Sequence, residues 1–584
     1  METGANAPST SRGTGEDRKT KKSVLLTLVG SGGDGVALLG DLVMWMAAHQ
    51  GLYGMMVQSY GPQIRGGESA AIVRIATEEV LYEGEEADLL LCFRLSDLAR
   101  FRGSMRLHDG SVVILDAVEE GTLPEWLGRT GRAPLRYPFA TIEEGREVPG
   151  DPKNMLALGL LCRALGWAKG LAHAALEHRF GHRPQLLARD VAAFDRAFAS
   201  GEVPALPRLV GRGVPLVVEN GNEAVARGAM DAGLRFFAGY PITPSSEVME
   251  TLIDELHGRG GRVVQAEDEI AALGMVVGAS FGGVPAMTAT SGPGLSLMTE
   301  MMGLSSMTEV PAVIVDCQRA GPATGMPSRT EQGDLYHAVY GGHGDFPRVV
   351  LGVFDVVHAR DVMHRAFLLS ETWHLPVLVL SDAYIAQRRQ IRDPIIETHE
   401  APRRQRWTEG DGPSRFSMDQ VTAPFRVPGT PGGQYMAAGL EHTPEGNPTA
   451  DGDLHQRMNE KRFLKLETIA ARTRDWCRTL GVAAAPKGIV AWGSQYGVLR
   501  EWVREHPEYR AFLPEILHPF PLAALTEWRK GLESLAVVEL SYQAQFHHML
   551  ASLTDMSGAR SIARSGGLPF SLSELAQRLE EARP

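Results

Sequence analysis

A chain of 584 residues with 44% hydrophobic and 22% charged residues has the balance of an ordinary globular protein of about three domains. Its formal net charge of −12 argues against a general nucleic-acid binder, which needs a basic surface to neutralise phosphates. No stretch of about 18 apolar residues occurs, so no membrane-spanning helix is expected.

In chain order, residues 1–22 are rich in Gly, Ser, Thr and charge. They lack an apolar core and are expected to be a disordered tail rather than a signal peptide, with cytoplasmic residence. A strand at 23–29 runs into the turn Gly30-Ser-Gly-Gly-Asp-Gly35 and an apolar helix at 36–49. Strand, glycine turn and helix place backbone donors at a helix N-terminus. The spacing departs from G-x-G-x-x-G, however, and Asp34 stands where an anion would be repelled. A strand at 54–58 leads into Gln58-Ser-Tyr-Gly-Pro-Gln-Ile-Arg-Gly-Gly-Glu68 and a strand at 69–75. Arg65 with the backbone donors of Gly66 and Gly67 can hold a phosphate; the alternative is a tight hairpin with a solvated arginine. Strands at 87–93 and 111–116 and helices at 154–165 and 170–179 complete this region. Residues 201–215 form a Pro/Gly/Arg-rich linker.

The next region, 215–386, alternates a helix at 222–233 with strands at 236–238, 284–290, 312–316 and 377–380. Such alternation implies a parallel sheet covered on both faces. Ligands then collect at the carboxyl ends of the strands, where Tyr240, Ser291 and Gln318 fall. Three segments there carry chemistry. The first is Gly239-Tyr-Pro-Ile-Thr-Pro-Ser-Ser246, where Pro241 and Pro244 fix φ and remove donors. The loop is stiff, and Ser245 or Ser246 is placed to cap a helix at 247–257. The second is Gln265-Ala-Glu-Asp-Glu-Ile-Ala-Ala-Leu-Gly274, in which small residues after Glu269 form a helix face open to close approach. The third is the turn Thr290-Ser-Gly-Pro-Gly294. Beyond the 312–316 strand, residues 317–334 form a long loop with Arg319 and Arg329, whose planar forks suit carboxylates.

Residues 387–486 are rich in Pro, Arg, Gly and charge, with a basic helix expected at 454–480. Strands at 489–494 and 535–540 mark a last small α/β domain, in which His547 and His548 are expected to be structural. Cys92, Cys162, Cys317 and Cys477 are far apart with no C-x-x-C pair. This spacing suits neither an iron–sulfur cluster nor a zinc site nor a disulfide framework. No metal ligand set is expected.

Together the three central motifs resemble the pyrimidine-binding domain of the 2-oxoacid:ferredoxin oxidoreductases, which are thiamine diphosphate enzymes. The 59–67 segment resembles the Ser-Tyr-Gly-Pro-x-x-Arg-Gly-Gly motif of the family's gamma domain. The resemblance runs from Ser23 onward. It implies a gamma-type α/β domain at 23–200, a linker at 201–214 and a pyrimidine-type parallel-sheet domain at 215–386. A crossover at 387–486 and a small transketolase C-terminal-like α/β domain at 487–584 follow. It places Glu269, with Glu267 as the alternative, on the aminopyrimidine ring nitrogen. Tyr240, Pro241, Ile242, Ser291 and Gly292 would line the thiamine diphosphate. Arg319 with Thr243 would hold the 2-oxoacid carboxylate, while Ser328 and Arg329 tune selection. Coenzyme A would meet Ser59, Tyr60, Gly61, Arg65, Gly66 and Gly67.

The family's magnesium–diphosphate motif needs an Asn some 25–30 residues after Gly-Asp-Gly. Here no Asn lies between Asn6 and Asn154, or between Asp411 and Asn447. The resemblance therefore implies a beta subunit that supplies Mg2+, the diphosphate site and a [4Fe-4S] cluster, in an α2β2 assembly that passes electrons to ferredoxin. The fused domain order looks like the alpha subunit of the family's 2-oxoglutarate branch. It implies conversion of 2-oxoglutarate and coenzyme A to succinyl-coenzyme A and carbon dioxide. Pyruvate, branched or aryl oxoacids, and a non-catalytic coenzyme A-binding assembly subunit are the alternatives.

Overall fold

The computed structural model describes residues 21–60, 68–103, 105–143, 146–148, 150–200, 202–395, 400–409 and 412–581. Gly61, Arg65, Gly66, Gly67 and most of the N-terminal tail lie outside them. Three α/β layers stack along the chain, each built on its own sheet.

The first sheet has eight strands. Ser23–Ser31 lies at its centre, parallel to Glu86–Cys92 and antiparallel to Glu68–Ala76, which in turn pairs with Tyr53–Tyr60. The apolar Val36–His49 helix packs behind it, with Leu39, Leu42, Val43 and Met46 buried. The edge beyond Tyr53–Tyr60 is closed by two strands from outside the 23–200 segment. Arg389–Arg392 pairs antiparallel with both Tyr53–Tyr60 and Val217–Asn220. A buried pair locks this edge: Arg392 donates from Nε to Glu219 Oε2 at 2.7 Å. An unpaired strand edge exposes backbone donors and acceptors, and these two strands remove it.

The central sheet has seven strands. Arg262–Gln265, Phe236–Gly239, Ala286–Thr290, Ala312–Gln318, Pro376–Asp382 and Val349–Gly352 are parallel neighbours in that order. Every residue of Ala312–Gln318 and of Pro376–Asp382 is buried, as expected of near-continuous apolar runs covered on both faces. The outer strand, Ile516–His518, comes from the C-terminal region and pairs antiparallel with Val350 and Leu351. The last sheet has five strands, with Lys487–Ala491 and Ser534–Glu539 at its heart.

The basic helix of the crossover runs Gly452–Arg472, capped by Asp451, and does not reach residue 480. Cys477–Gly481 is instead a strand, antiparallel to Tyr509–Pro514; a free sheet edge outweighs local helix propensity there. An amphipathic helix, Pro184–Ser200, also follows Lys169–Phe180. The crossover is anchored on buried charges. Arg404 holds Glu371 with two bonds of 2.6 and 2.7 Å. Lys461 and Lys465 reach the two oxygens of Glu309 at 2.5 and 2.8 Å. No helix among the described residues is long and apolar enough to cross a membrane.

Candidate active site

The loop after the Phe236–Gly239 strand is held from three sides. Asn222 Nδ2 donates to the Pro244 carbonyl at 2.7 Å, and Arg319 Nη1 donates to the Thr243 carbonyl at 2.7 Å. The Ser245 hydroxyl donates to the Ile242 carbonyl at 3.0 Å. Ser245 does occupy the cap position of the Ser246–Glu255 helix, but its side chain makes no capping bond, because that hydroxyl is already committed to its own loop. Tyr240, Pro241 and Thr243 are exposed and Ile242 is half-buried, so the loop presents a wall to solvent.

Opposite stands the Glu269–Phe281 helix. Asp268 caps it by accepting from the Ala271 amide at 2.8 Å. That bond fixes the entry of the chain, and Glu269, the first helical residue, turns inward. Glu269 is 5% exposed, whereas Glu267 is exposed; of the two acids, only Glu269 faces the sheet. No hydrogen bond or ion pair holds the Glu269 carboxylate among the described residues. It lies against Gly294, where an added Cβ would stand 2.5 Å from Glu269 Oε1 and inside the space of the Thr290 hydroxyl. The turn between them leaves the Ser291 hydroxyl buried with no partner among the described residues. A cradle of bare glycine backbone, an inward carboxylate and an unsatisfied hydroxyl is the donor and acceptor set an aminopyrimidine ring needs. The residues present therefore fit the pyrimidine half of thiamine diphosphate.

A second acidic feature adjoins this floor. A Cβ at Gly292 would stand 2.7 Å from Asp334 Oδ2. Asp334 faces Asp316, a fully buried residue of the Ala312–Gln318 strand. Burial and the neighbouring Asp334 raise the Asp316 carboxyl well above the ordinary aspartate range. Burial pushes Asp334 up to about 6, against the pull of Asp316 and Arg319. Two carboxyls this close cannot both ionise cheaply, so the pair holds a proton at acid pH.

Arg319 is 8% exposed. One end of its guanidinium is tied to Thr243, while Nε is buried with no partner among the described residues. Burial lowers the pKa of Arg319, with Asp334 opposing the shift. A buried guanidinium with a free edge is built to take an anion. Glu269, Ser291, Gly292, Arg319 and Thr243 are thus brought together around one floor.

Ser328 and Arg329 sit further along the same loop. It doubles back so that the Ala320 amide donates to the Arg329 carbonyl at 2.9 Å. Both residues line a cavity between the three layers, together with Gln58, Tyr82, Glu83 and Arg388. Burial raises the Glu83 carboxyl, which accepts from the Tyr384 hydroxyl. Ser59 and Tyr60 end the strand that carries Gln58 into this cavity.

One family model, described as pyruvate flavodoxin/ferredoxin oxidoreductase, thiamine diphosphate-binding, matches residues 227–461. Another, described as pyruvate ferredoxin/flavodoxin oxidoreductase, matches residues 26–200. The 2-oxoglutarate synthase subunit KorA of Methanothermobacter marburgensis is 35% identical over 371 residues, 59% of this chain and 94% of that relative. This chain belongs to the 2-oxoacid:ferredoxin oxidoreductase family. The 2-oxoglutarate oxidoreductase subunit KorA of Mycobacterium tuberculosis is 29% identical across 97% of this chain and 93% of its own. A solved 2-oxoglutarate:ferredoxin oxidoreductase from Magnetococcus marinus, with 2-oxoglutarate, coenzyme A and succinyl-CoA bound, matches at a TM-score of 0.86. Its identity is 31%, covering 96% of this chain and 99% of that one.

Asp316 and Asp334 were not among the residues singled out from sequence. The available signal was slight: a carboxylate inside an otherwise apolar buried strand, and another where the long loop re-enters a helix. Asn222, which ties the Tyr-Pro-Ile-Thr-Pro loop to the following helix, had no signal beyond its place at a helix start.

Proposed function

We infer that this chain is the alpha subunit of a thiamine diphosphate-dependent 2-oxoglutarate:ferredoxin oxidoreductase. In the inferred reaction 2-oxoglutarate and coenzyme A become succinyl-coenzyme A and carbon dioxide, with two electrons passing to ferredoxin. The observation that carries this reading is Glu269: a buried residue whose carboxylate has no protein partner among the described residues, set against bare glycine backbone. When bound, thiamine diphosphate supplies a carbon nucleophile and an electron sink for decarboxylation. Glu269 would hold the proton on the pyrimidine side, with Tyr240, Pro241, Ile242, Ser291 and Gly292 around the ring. The Arg319 guanidinium, fixed by the Thr243 carbonyl, would orient the oxoacid carboxylate. Ser328 and Arg329 would meet the distal part of the substrate.

Coenzyme A is proposed to approach from the cavity beside Ser328, near the strand that ends in Ser59 and Tyr60. A beta subunit is proposed to complete the site with Mg2+, the diphosphate pocket and a [4Fe-4S] cluster, in an α2β2 complex. The helix that begins with Glu269 supports this. Ile270 and Met275 are 47% and 41% exposed, and open space lies over Gly274 and Gly278, leaving room for a close-packed partner.

The test uses the complex of this chain with its beta partner, assayed without oxygen for viologen reduction that depends on coenzyme A. Turnover with 2-oxoglutarate and little with pyruvate is expected. Preference for another oxoacid would remove the substrate assignment and keep the chemistry. No turnover with any oxoacid, in a complex loaded with cofactor and cluster, would overturn the catalytic reading.

A further inference from the structure

The loop that carries Arg319 begins on the central sheet, but its far end is built into the C-terminal domain. Gln332 makes the joint. It is 1% exposed, and its polar groups are paired across the domain boundary. Its backbone amide donates to the Leu540 carbonyl at 2.7 Å, and its Oε1 accepts from the Leu540 amide at 3.0 Å. Its Nε2 donates to the Trp492 carbonyl at 2.9 Å. The seat is shaped from the other side as well: Gly493 has φ of 63°, and a Cβ there would stand 2.6 Å from Gln332 Nε2. A second amide repeats the pattern. Gln545 Nε2 donates to the Gly333 carbonyl at 2.8 Å and its Oε1 accepts from the Tyr336 amide at 2.9 Å. Glu539 holds the N-terminus of the Gln545–Leu553 helix in place by accepting from the Phe546 and His547 amides at 2.8 and 2.9 Å.

The joint connects to Arg319 through a short path. Two residues after Gln332, the Asp334 amide donates to Gln318 Oε1 at 3.1 Å, and Gln318 Nε2 is fixed to the Ser381 carbonyl at 3.0 Å. Gln318 adjoins Arg319 in sequence. The two ends of the loop are therefore clasped beneath the guanidinium, and the register of that clasp is set by the C-terminal domain.

We propose that Gln332 is a positioning residue for the oxoacid carboxylate, through which the C-terminal domain sets the placement of Arg319 and hence the affinity for substrate. This rests on the reading of Arg319 as the carboxylate-binding arginine. Gln332 touches neither substrate nor cofactor; it acts through the loop. A packing role alone would lower stability without selecting among substrates, whereas a positioning role moves the Michaelis constant of one of them.

The experiment compares Gln332→Ala, Gln545→Ala and Arg319→Lys in the assembled, cofactor-loaded complex. The readouts are KM for 2-oxoglutarate, KM for coenzyme A, kcat and thermal midpoint. Gln332→Ala is expected to raise KM for 2-oxoglutarate roughly 10- to 100-fold, the scale set by a misplacement of about 1 Å, while KM for coenzyme A stays within about twofold. Gln545→Ala, which removes the milder clasp, is expected to raise the same KM by roughly three- to tenfold, and it carries the test if Gln332→Ala does not fold. Should Arg319→Lys leave KM for 2-oxoglutarate unchanged, the carboxylate reading falls and this proposal with it. Should Arg319→Lys raise that KM while the two glutamine variants lower only the thermal midpoint, the positioning role alone is overturned.

Discussion

Replacing Glu269 by Gln is expected to move activity and stability in opposite directions. Glu269 is 5% exposed, and its carboxylate lacks a protein partner among the described residues. A buried, unsatisfied charged group costs about 1–3 kcal/mol or more. Its place at the first position of the Glu269–Phe281 helix returns about 0.3–1 kcal/mol through the helix dipole. Amidation keeps the shape, removes the charge and leaves a net gain of about 1–2 kcal/mol. In a domain of this size each kcal/mol moves the midpoint by about 2–4 °C, so the chain freed of thiamine diphosphate should melt about 2–8 °C higher. Activity of the assembled enzyme should fall by roughly 10²- to 10⁴-fold, the usual contribution of a proton-handling side chain. Calorimetry of the free chain and anaerobic viologen reduction by the complex measure the two effects. Full activity would end the catalytic assignment of Glu269. A lower melting temperature would show instead that the carboxylate is satisfied in the fold, and the argument from its isolation would fail.

Other expectations follow from the same geometry. Gly294→Ala places a methyl group against the Thr290 hydroxyl and 2.5 Å from Glu269 Oε1; it should cost about 1–3 kcal/mol of stability by overpacking and depress kcat by displacing that carboxylate, as steady-state kinetics will register. Glu309→Gln strips the counter-charge from Lys461, Lys465 and Arg415, all buried, at about 3–5 kcal/mol. Hydrogen exchange in the Gly452–Arg472 helix should then quicken by roughly 10²- to 10⁴-fold, whereas Lys465→Met, which removes one cation from the excess, should change it far less; equal effects would refute the charge argument. Burial raises the folded-state pKa of Asp334 from 3.8 to about 6. The stability contributed by that raised pKa is fully present below the unfolded value and is lost as pH rises through about 6. Thermal midpoints measured from pH 4 to 7.5 should therefore fall less steeply in Asp334→Asn than in the parent chain, and parallel curves would exclude the assignment.

How much of this was legible follows from sequence separation. Glu269 was singled out by resemblance, with Glu267 left open; the structure separates the two by burial, because Asp268 caps the helix and the residue after it turns inward. The pairing of Arg319 with Thr243 came from resemblance, yet its geometry, a bond to the carbonyl rather than the hydroxyl of Thr243, spans 76 residues and has no local sign. Ser245 shows the converse. Its position at a helix cap was written in the sequence, but the competing acceptor, the Ile242 carbonyl, exists only once the loop has folded back. The same contrast holds for two strands with no local sign of their partners. Periodicity identifies a buried face, but pairing is a long-range choice, and Arg389–Arg392 and Ile516–His518 join sheets whose other strands lie far away in sequence.

These long-range pairings are also what make the floor of the site rigid. Ile516–His518 welds the C-terminal region to the central sheet, and Gln332 and Gln545 then pin the loop that follows Arg319 to that welded block. The motifs supply groups of the right chemistry at the strand ends. Their relative placement comes from contacts between segments far apart in sequence, as in Gln332 with Trp492, 160 residues away, and with Leu540, 208 away. A site organised in this way loses substrate affinity through changes far outside its motifs, and such changes fall on the very contacts that local patterns do not record.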